Sequence, residues 1–409
     1  MPHILPGHGA RPRLRHFSSD DFQFGLEIAL GSNLDPGEVL AVAARVPDGD
    51  ADAWVRAWTD LAEDAAHDAS EAQDAGHRRS ARLHHHRAAT AYSTALYLIA
   101  HSELADRALE LWQEQKTAWE QMVDLSDPVG ERVAIPCEDT TLSAWFFRAP
   151  DAAPGEKRPL LVMNNGSDGA TSGMGGMGGD AAAARGWHWM TFDGPGQQSA
   201  LFEQGLHFRH DWEAVLTPVV DAMVARPDVD ADKLAVIGIS QAGYWVPRAL
   251  AFEHRFAAAV VDPGVTDVSA SWRHDLPSRM EKMLATGERE KFDKQMGYGM
   301  RFSHDLAGTL RFRAEPYGID PANAFDLYTE VAKYQLGDEV AQIDTPMLIT
   351  DPEHEQFWPG QPQQLYDRLT GERELLSFSA KEGADRHCEP LAPALREARI
   401  FDWLEDRLA

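Results

Sequence analysis

Residues Leu234 to Arg248 read LAVIGISQAGYWVPR, and the fold turns on this stretch. Leu234 to Ile239 is an apolar run of the length of one buried strand. Gly238-Ile239-Ser240-Gln241-Ala242-Gly243 then sets small residues around a serine, and a helical segment follows. Small residues are required where a strand and the next helix turn so sharply that their backbones nearly touch. Such a turn lifts a serine hydroxyl above the carboxyl edge of a sheet, the arrangement known as a nucleophile elbow. The usual pattern is G-x-S-x-G; here it is G-x-S-x-A with Gly243 directly after.

Strand and helix alternate on both sides of this turn. RVAIPCE and TLSAWFFRAP read as a hairpin turning at Glu138-Asp139-Thr140. Arg158 to Asn165 and GWHWMTF are further buried strands, and His210 to Arg226 a helix. Ala257 to Val261, Pro346 to Thr350 and Glu374 to Phe378 continue the strands, with helices over Gln361–Leu369 and Leu391–Leu408. Such alternation predicts an α/β fold, a mostly parallel sheet covered on both faces. Before it, residues 1–127 carry apolar residues at three- and four-residue spacing and predict an all-helical N-terminal domain. Breaks fall at Asp35-Pro36, at Asp48-Gly49-Asp50 and around Gly76. The sheet region is expected over 128–264 and 344–409, divided by a helical insertion over 265–343. That insertion is rich in Trp, Met, Phe and Tyr, and it leaves from the carboxyl end of a strand. It is therefore expected to cover a site there as a lid, with Trp272, Met280, Met283 and Tyr298 as pocket walls.

Composition narrows the partners. At 409 residues the chain predicts two to three units. A net charge of −27 argues against nucleic acid or an anionic membrane as partner. Two cysteines, Cys137 and Cys388, cannot make a disulfide framework, which suits a reducing compartment. No apolar run approaches the ~18 residues of a membrane span, and MPHILPGHGARPRLRHF lacks the apolar core of a leader. A cytoplasmic location is expected, without a cofactor and with a small-molecule substrate. The apolar helical layer could also pair two copies into a homodimer.

A serine hydroxyl needs a base within hydrogen-bond reach and a third group to hold that base. The loop after the Pro346–Thr350 strand holds Asp351, Glu353 and Glu355. The acid must reach past the strand end, which favours Glu355; Asp262, closing the preceding strand, is a weaker candidate. After the last strand, Glu382 to Pro390 contains His387. His354 is its rival but precedes that strand, and Cys388 reads as a small packed residue. An oxyanion would be met by backbone N–H groups of Gln241 and Ser167, with Asp168 beside them in the pocket. The run His84-His85-His86 lacks the three- or four-residue spacing that a metal site on a helix needs, and is expected to be an exposed polar stretch. Gly173-Met174-Gly175-Gly176-Met177-Gly178 satisfies G-x-G-x-x-G. In a genuine dinucleotide fingerprint the first Gly ends the strand directly, whereas about seven residues intervene here. A mobile glycine-rich loop near the site is expected instead.

Together these pieces resemble the α/β-hydrolase superfamily. NNGSDG is similar to its oxyanion loop, DGPGQQS to its D-x-P-G turn, GISQAG to its elbow, and HCEP to its histidine loop. Helices placed before such a core resemble the subgroup containing 2,6-dihydroxypseudooxynicotine hydrolase and the FrsA-like proteins. Gln198 and Ala242 stand where that pattern has glycine. The resemblance implies a serine hydrolase using Ser240, Glu355 and His387 on an ester, amide or carbon–carbon bond next to a carbonyl. Two other classes compete: a catalytically silent ligand-binding protein on the same scaffold, and a nucleotide-dependent oxidoreductase.

Overall fold

The computed structural model describes residues 15–408. The first fourteen residues, where no leader was expected, lie outside the described residues. The N-terminal part is helical: α1 (Asp20–Leu30), α2 (Pro36–Ala43), α3 (Ala51–Asp74), α4 (Arg78–Tyr97) and α5 (Ala108–Asp124). Local chemistry sets their starts. Asp35 and Glu38 form a capping box with Pro36 in the first turn of α2, and the Asp50 side chain accepts the Ala53 N–H at the head of α3. Trp54, Trp58, Ala62, Ala65 and Ala69 form the buried stripe of α3. It packs on Ala81, Ala88, Ala91 and Ala95 of α4, where small side chains let the two axes approach.

Two expectations need correction here. The stretch after the break at Gly76 is not one helix: turns of 3-10 helix at 99–101 and 105–107 separate α4 from α5. The three adjacent histidines are not an exposed stretch either. His85 is buried and its Nε2 lies 3.4 Å from the Gln73 amide oxygen. The half-buried His86 meets the Ser172 carbonyl at 3.2 Å. His85 is covered by α3, His86 by the segment after the third strand, and the turn at 99–101 by a later helix over residues 304–314, none of which local polarity reveals.

Eight strands follow in one sheet: β1 (Glu131–Cys137), β2 (Thr140–Phe147), β3 (Arg158–Asn164), β4 (His188–Phe192), β5 (Val229–Ile239), β6 (Ala258–Asp262), β7 (Met347–Pro352) and β8 (Arg373–Phe378). Their order is β1-β2-β4-β3-β5-β6-β7-β8. The β1–β2 and β2–β4 pairs are antiparallel and the rest parallel. This is the α/β-hydrolase fold with a helical region before it. Along β5, Leu234 and Val236 enter one core and Ala235, Ile237 and Ile239 the other, as the two-residue period of a strand requires.

Helices α6 (Asp180–Ala184), α7 (Gln198–Phe202), α8 (Glu213–Val224) and α9 (Ala242–Leu250) lie between β3 and β6. The insertion holds α10 (Ser269–Arg273), α11 (Ser278–Ala285), α12 (Arg289–Phe302), α13 (His304–Ala314) and α14 (Ala324–Val331). After it come α15 (Gln361–Arg368) and α16 (Pro393–Leu408). Helices α8, α9 and the insertion share one core, while α16 and the N-terminal helices share the other. Each large aliphatic side chain buried there contributes roughly 1.5–3 kcal/mol.

Register fixes what this scaffold presents. Asn164 pairs with Gly238, Ile239 with Asp262 and Val261 with Ile349. The carboxyl ends of β3, β5, β6 and β7 therefore align, and the loops leaving them open on one edge. The glycine-rich segment departs from expectation. It forms a 3-10 turn at 171–173 and a π turn at 175–179, with Gly175, Gly178 and Gly179 buried. Packed against Met163, Phe401 and Trp189, its backbone forms no open loop at the mouth of the site.

Candidate active site

Ser240 takes a left-handed backbone conformation, φ 56°, between β5 and α9, a strain typical of functional turns. Its neighbours have no room for side chains. A Cβ at Gly238 would lie 2.6 Å from the Ala242 carbonyl oxygen, and one at Gly243 only 1.8 Å from that of Pro263. A Cβ at Gly166 would sit 2.8 Å from that of Ser240, so the loop after β3 crosses directly over the serine. Ala242 needs no such freedom. It is an ordinary first residue of α9, so the replaced glycine costs nothing. Gln198 does occupy a left-handed position, φ 25°; its side-chain oxygen accepts the Trp112 indole N–H at 2.9 Å, which ties the turn to α5.

Three predicted side chains meet above this edge. The His387 Nε2 lies 2.8 Å from the Ser240 Oγ. Its Nδ1 lies 2.9 and 3.0 Å from the two oxygens of Glu355. Glu355 in turn accepts the backbone N–H groups of Phe357 at 2.9 Å and Trp358 at 3.2 Å. The His387 N–H donates to the Gln356 side chain at 2.9 Å, fixing the histidine loop on the acid loop. Both Glu355 and His387 are buried. Burial by itself would raise the Glu355 carboxyl, but the imidazole and the two N–H donors outweigh it and hold the group below its ordinary value. Burial would likewise lower the imidazole; the Glu355 charge outweighs that and raises it.

The competing acids turn elsewhere. Glu353 accepts the Ala380 N–H at 2.8 Å. Asp351 is half-buried, its carboxyl raised by burial and then by the Glu355 charge. His354 faces Asp385, Nδ1 to Oδ2 2.7 Å. Asp262 lies beneath the elbow, and its carbonyl accepts the Ser240 N–H at 2.6 Å.

The Gln241 and Ser167 N–H groups have no acceptor among the described residues. Ser167 also donates its hydroxyl to the exposed Asp168 at 2.7 Å. Sequence reasoning missed the brace behind this loop. Gln197, from the turn after β4, donates its amide to the carbonyls of Asn165 at 2.8 Å and Gly166 at 2.7 Å. The D-x-P-G resemblance marked that turn without giving the side chain a task.

Aromatic rings surround the imidazole. Phe357 stands edge-on at 4.8 Å, Trp358 lies at 5.7 Å and Phe24 of α1 at 6.2 Å. Phe24 is a second omission, since nothing local in α1 points to a loop more than three hundred residues later. The expected walls fare unevenly. Buried Trp272 meets Tyr317 edge-on at 5.7 Å, and the Tyr317 hydroxyl faces the Gln241 side chain. Met280 and Met283 lie on α11, which packs against α12 and α14 within the insertion. Tyr298 is not a wall: it is 48% exposed, with the Lys294 ammonium over its ring.

A hydroxyl, an imidazole and a buried carboxylate in this order can move a proton off the hydroxyl and return it to a departing group. Known proteins agree with the fold. The model of the prolyl oligopeptidase family matches residues 214–304, which span the elbow. The chain is 31% identical to the 20-hydroxy-prefusarin hydrolase FUS2 of Gibberella moniliformis, covering 96% of this chain and 98% of that protein. It is 28% identical to the hydrolase LUC6 of a Fusarium species, covering 95% and 97%. In three dimensions it resembles the crystal structure of a 2,6-dihydroxy-pseudo-oxynicotine hydrolase, with a TM-score of 0.73 at 20% identity over 94% and 96% of the two chains. The eight-stranded sheet, the helices before it and a relative matched along nearly its whole length make this chain a member of the α/β-hydrolase superfamily and a hydrolytic enzyme.

Proposed function

We propose that this enzyme is a serine hydrolase acting on a carbonyl group of a bulky or aromatic small molecule. The observation carrying the proposal is the hydrogen-bonded series Ser240 Oγ, His387 and Glu355. His387 takes the Ser240 proton as the hydroxyl oxygen attacks the carbonyl carbon, and Glu355 stabilises the imidazolium that forms. The oxyanion is met by the N–H groups of Gln241 and Ser167. His387 then hands its proton to the leaving group: an alcohol, an amine, or the carbanion of a carbon–carbon cleavage. Water, deprotonated by the same imidazole, releases the acyl group from Ser240.

The rings of Phe24, Phe357 and Trp358 around the His387 imidazole, with Tyr317 facing Gln241, support a compact, ring-bearing substrate over a polypeptide. The names of two similar hydrolases point the same way, one specifying 20-hydroxy-prefusarin and the other 2,6-dihydroxy-pseudo-oxynicotine. Ser240→Ala is expected to lower kcat/KM by roughly 10⁴- to 10⁶-fold and to abolish labelling by a fluorophosphonate. Retained turnover in that variant would end the proposal. Size-graded p-nitrophenyl esters assayed beside aryl diketones would separate acyl–oxygen from carbon–carbon cleavage.

A further inference from the structure

Two further carboxyl groups lie next to this machinery and take no part in the proton transfers above. Asp262 closes β6, Glu389 follows His387 by two residues, and both are fully buried. Asp262 is the hub of the elbow. Its carbonyl accepts the Ser240 N–H at 2.6 Å and the Cys388 thiol at 3.2 Å, and its Oδ1 accepts the Thr350 hydroxyl at 2.7 Å. The Asp262 Oδ2 and both Glu389 oxygens receive no N–H or hydroxyl donor from the described residues. The Cys388 thiol on the Asp262 carbonyl brings the Glu389 side chain, one residue on, beside the Asp262 carboxyl, whose charge acts on it.

Two ionised carboxylates cannot share a dry space, so one of such a pair carries a proton. The charges facing them favour a single negative charge. Arg396 of α16 is the neighbouring cation, and its guanidinium is spent on carbonyls: Cys388 at 2.9 Å and Gly176 at 3.0 Å. Glu355 approaches from the β7 loop with a further negative charge. Asp262 already accepts the Thr350 hydroxyl, whereas neither Glu389 oxygen has a donor among the described residues. Burial and the Asp262 charge raise the Glu389 carboxyl well above its ordinary value, against the opposing pull of Arg396. The backbone between them needs holding. Cys388 (φ 58°) and Glu389 (φ 44°) are consecutive non-glycine residues in the left-handed region, which side chains disfavour.

We propose that Glu389 stays protonated and donates a hydrogen bond to the Asp262 carboxylate, and that this shared proton holds the left-handed turn which aims His387 at Ser240. Glu389 is then a positioning residue. Its effect on catalysis rests on the serine-hydrolase reading, while the proton itself does not. Glu389→Ala is expected to lower kcat by about 10- to 100-fold with KM changed less than about threefold. Glu389→Gln, whose amide N–H replaces the donor, is expected to restore kcat to within about threefold of the parent. The infrared difference spectrum between the parent and Glu389→Gln at neutral pH should contain a protonated-carboxyl C=O stretch. Equal losses in both variants, or a difference spectrum with carboxylate bands alone, would overturn the proposal. If Glu389→Ala does not fold, the Gln variant and the spectrum decide the matter. A Ser240→Ala protein that stayed active would remove the catalytic reading and leave the infrared result standing.

Discussion

Glu355 and Asp262 leave the ends of adjacent strands, and both are buried acids whose charge acts on His387. Their surroundings separate them. Glu355 faces an imidazole and two backbone N–H donors. Asp262 faces a hydroxyl and a second carboxyl group. A buried carboxylate beside a proton acceptor that becomes cationic can stabilise a charge arising during reaction. One beside another acid can only hold a proton still. Residue type and depth of burial are shared, so the partner alone assigns the work.

The largest test of that contrast is the amide pair. Glu355→Gln removes the charge that stabilises the imidazolium, and kcat/KM should fall roughly 10³- to 10⁴-fold. Asp262→Asn keeps an acceptor for Glu389 and should cost no more than about tenfold. Steady-state kinetics on one ester decide it, and a reversed order would exchange the roles of the two strands. Next comes the seat of the histidine loop. A Cβ on Gly31 would lie 1.7 Å from the Pro390 carbonyl oxygen, backbone with no easy retreat. Gly31→Ala should therefore destabilise the chain by about 1–3 kcal/mol in urea unfolding and lower activity as the loop shifts.

A smaller effect is expected in the pH profile. His387 must be neutral to accept the Ser240 proton, and its folded value is raised above 6.5. Activity should thus fall as pH drops through the raised imidazole value. Asp262→Asn, by removing one of the charges that raise it, should move that acid limb to lower pH. An unmoved limb would mean that the Asp262 charge does not reach the imidazole. The smallest change is Asp351→Asn, expected to leave kcat within about twofold. A loss comparable to that of Glu355→Gln would show that the acid loop rearranges on binding substrate.

The elbow was legible because its constraint is local. Gly238, Gly243 and the strand before them announce a turn with no space for Cβ atoms, and the fold brings carbonyl oxygens to within 2.6 and 1.8 Å of where those atoms would go. The positions of Glu355 and His387 were legible from chain order, since each loop leaves the carboxyl end of a later parallel strand. Burial of His85, the split between α4 and α5, and the compact glycine-rich turn were not legible. In each, a polar or flexible segment is packed by elements distant in the chain, such as Ser172 on His86 or Phe401 on Gly178. Tyr298 misled for the converse reason: aromatic character says nothing about which side of α12 faces outward.

What this chain settles by its residues alone is periodicity and stereochemistry: helices before a sheet, a serine on a sharp turn, acids and a histidine on later loops. Those follow from interactions within a few residues. Which carboxyl meets the imidazole, which meets another carboxyl, and which ring from α1 closes over them were decided only when the chain folded. Such contacts join residues hundreds of positions apart, and the energies of buried charges depend on distances that no local pattern encodes.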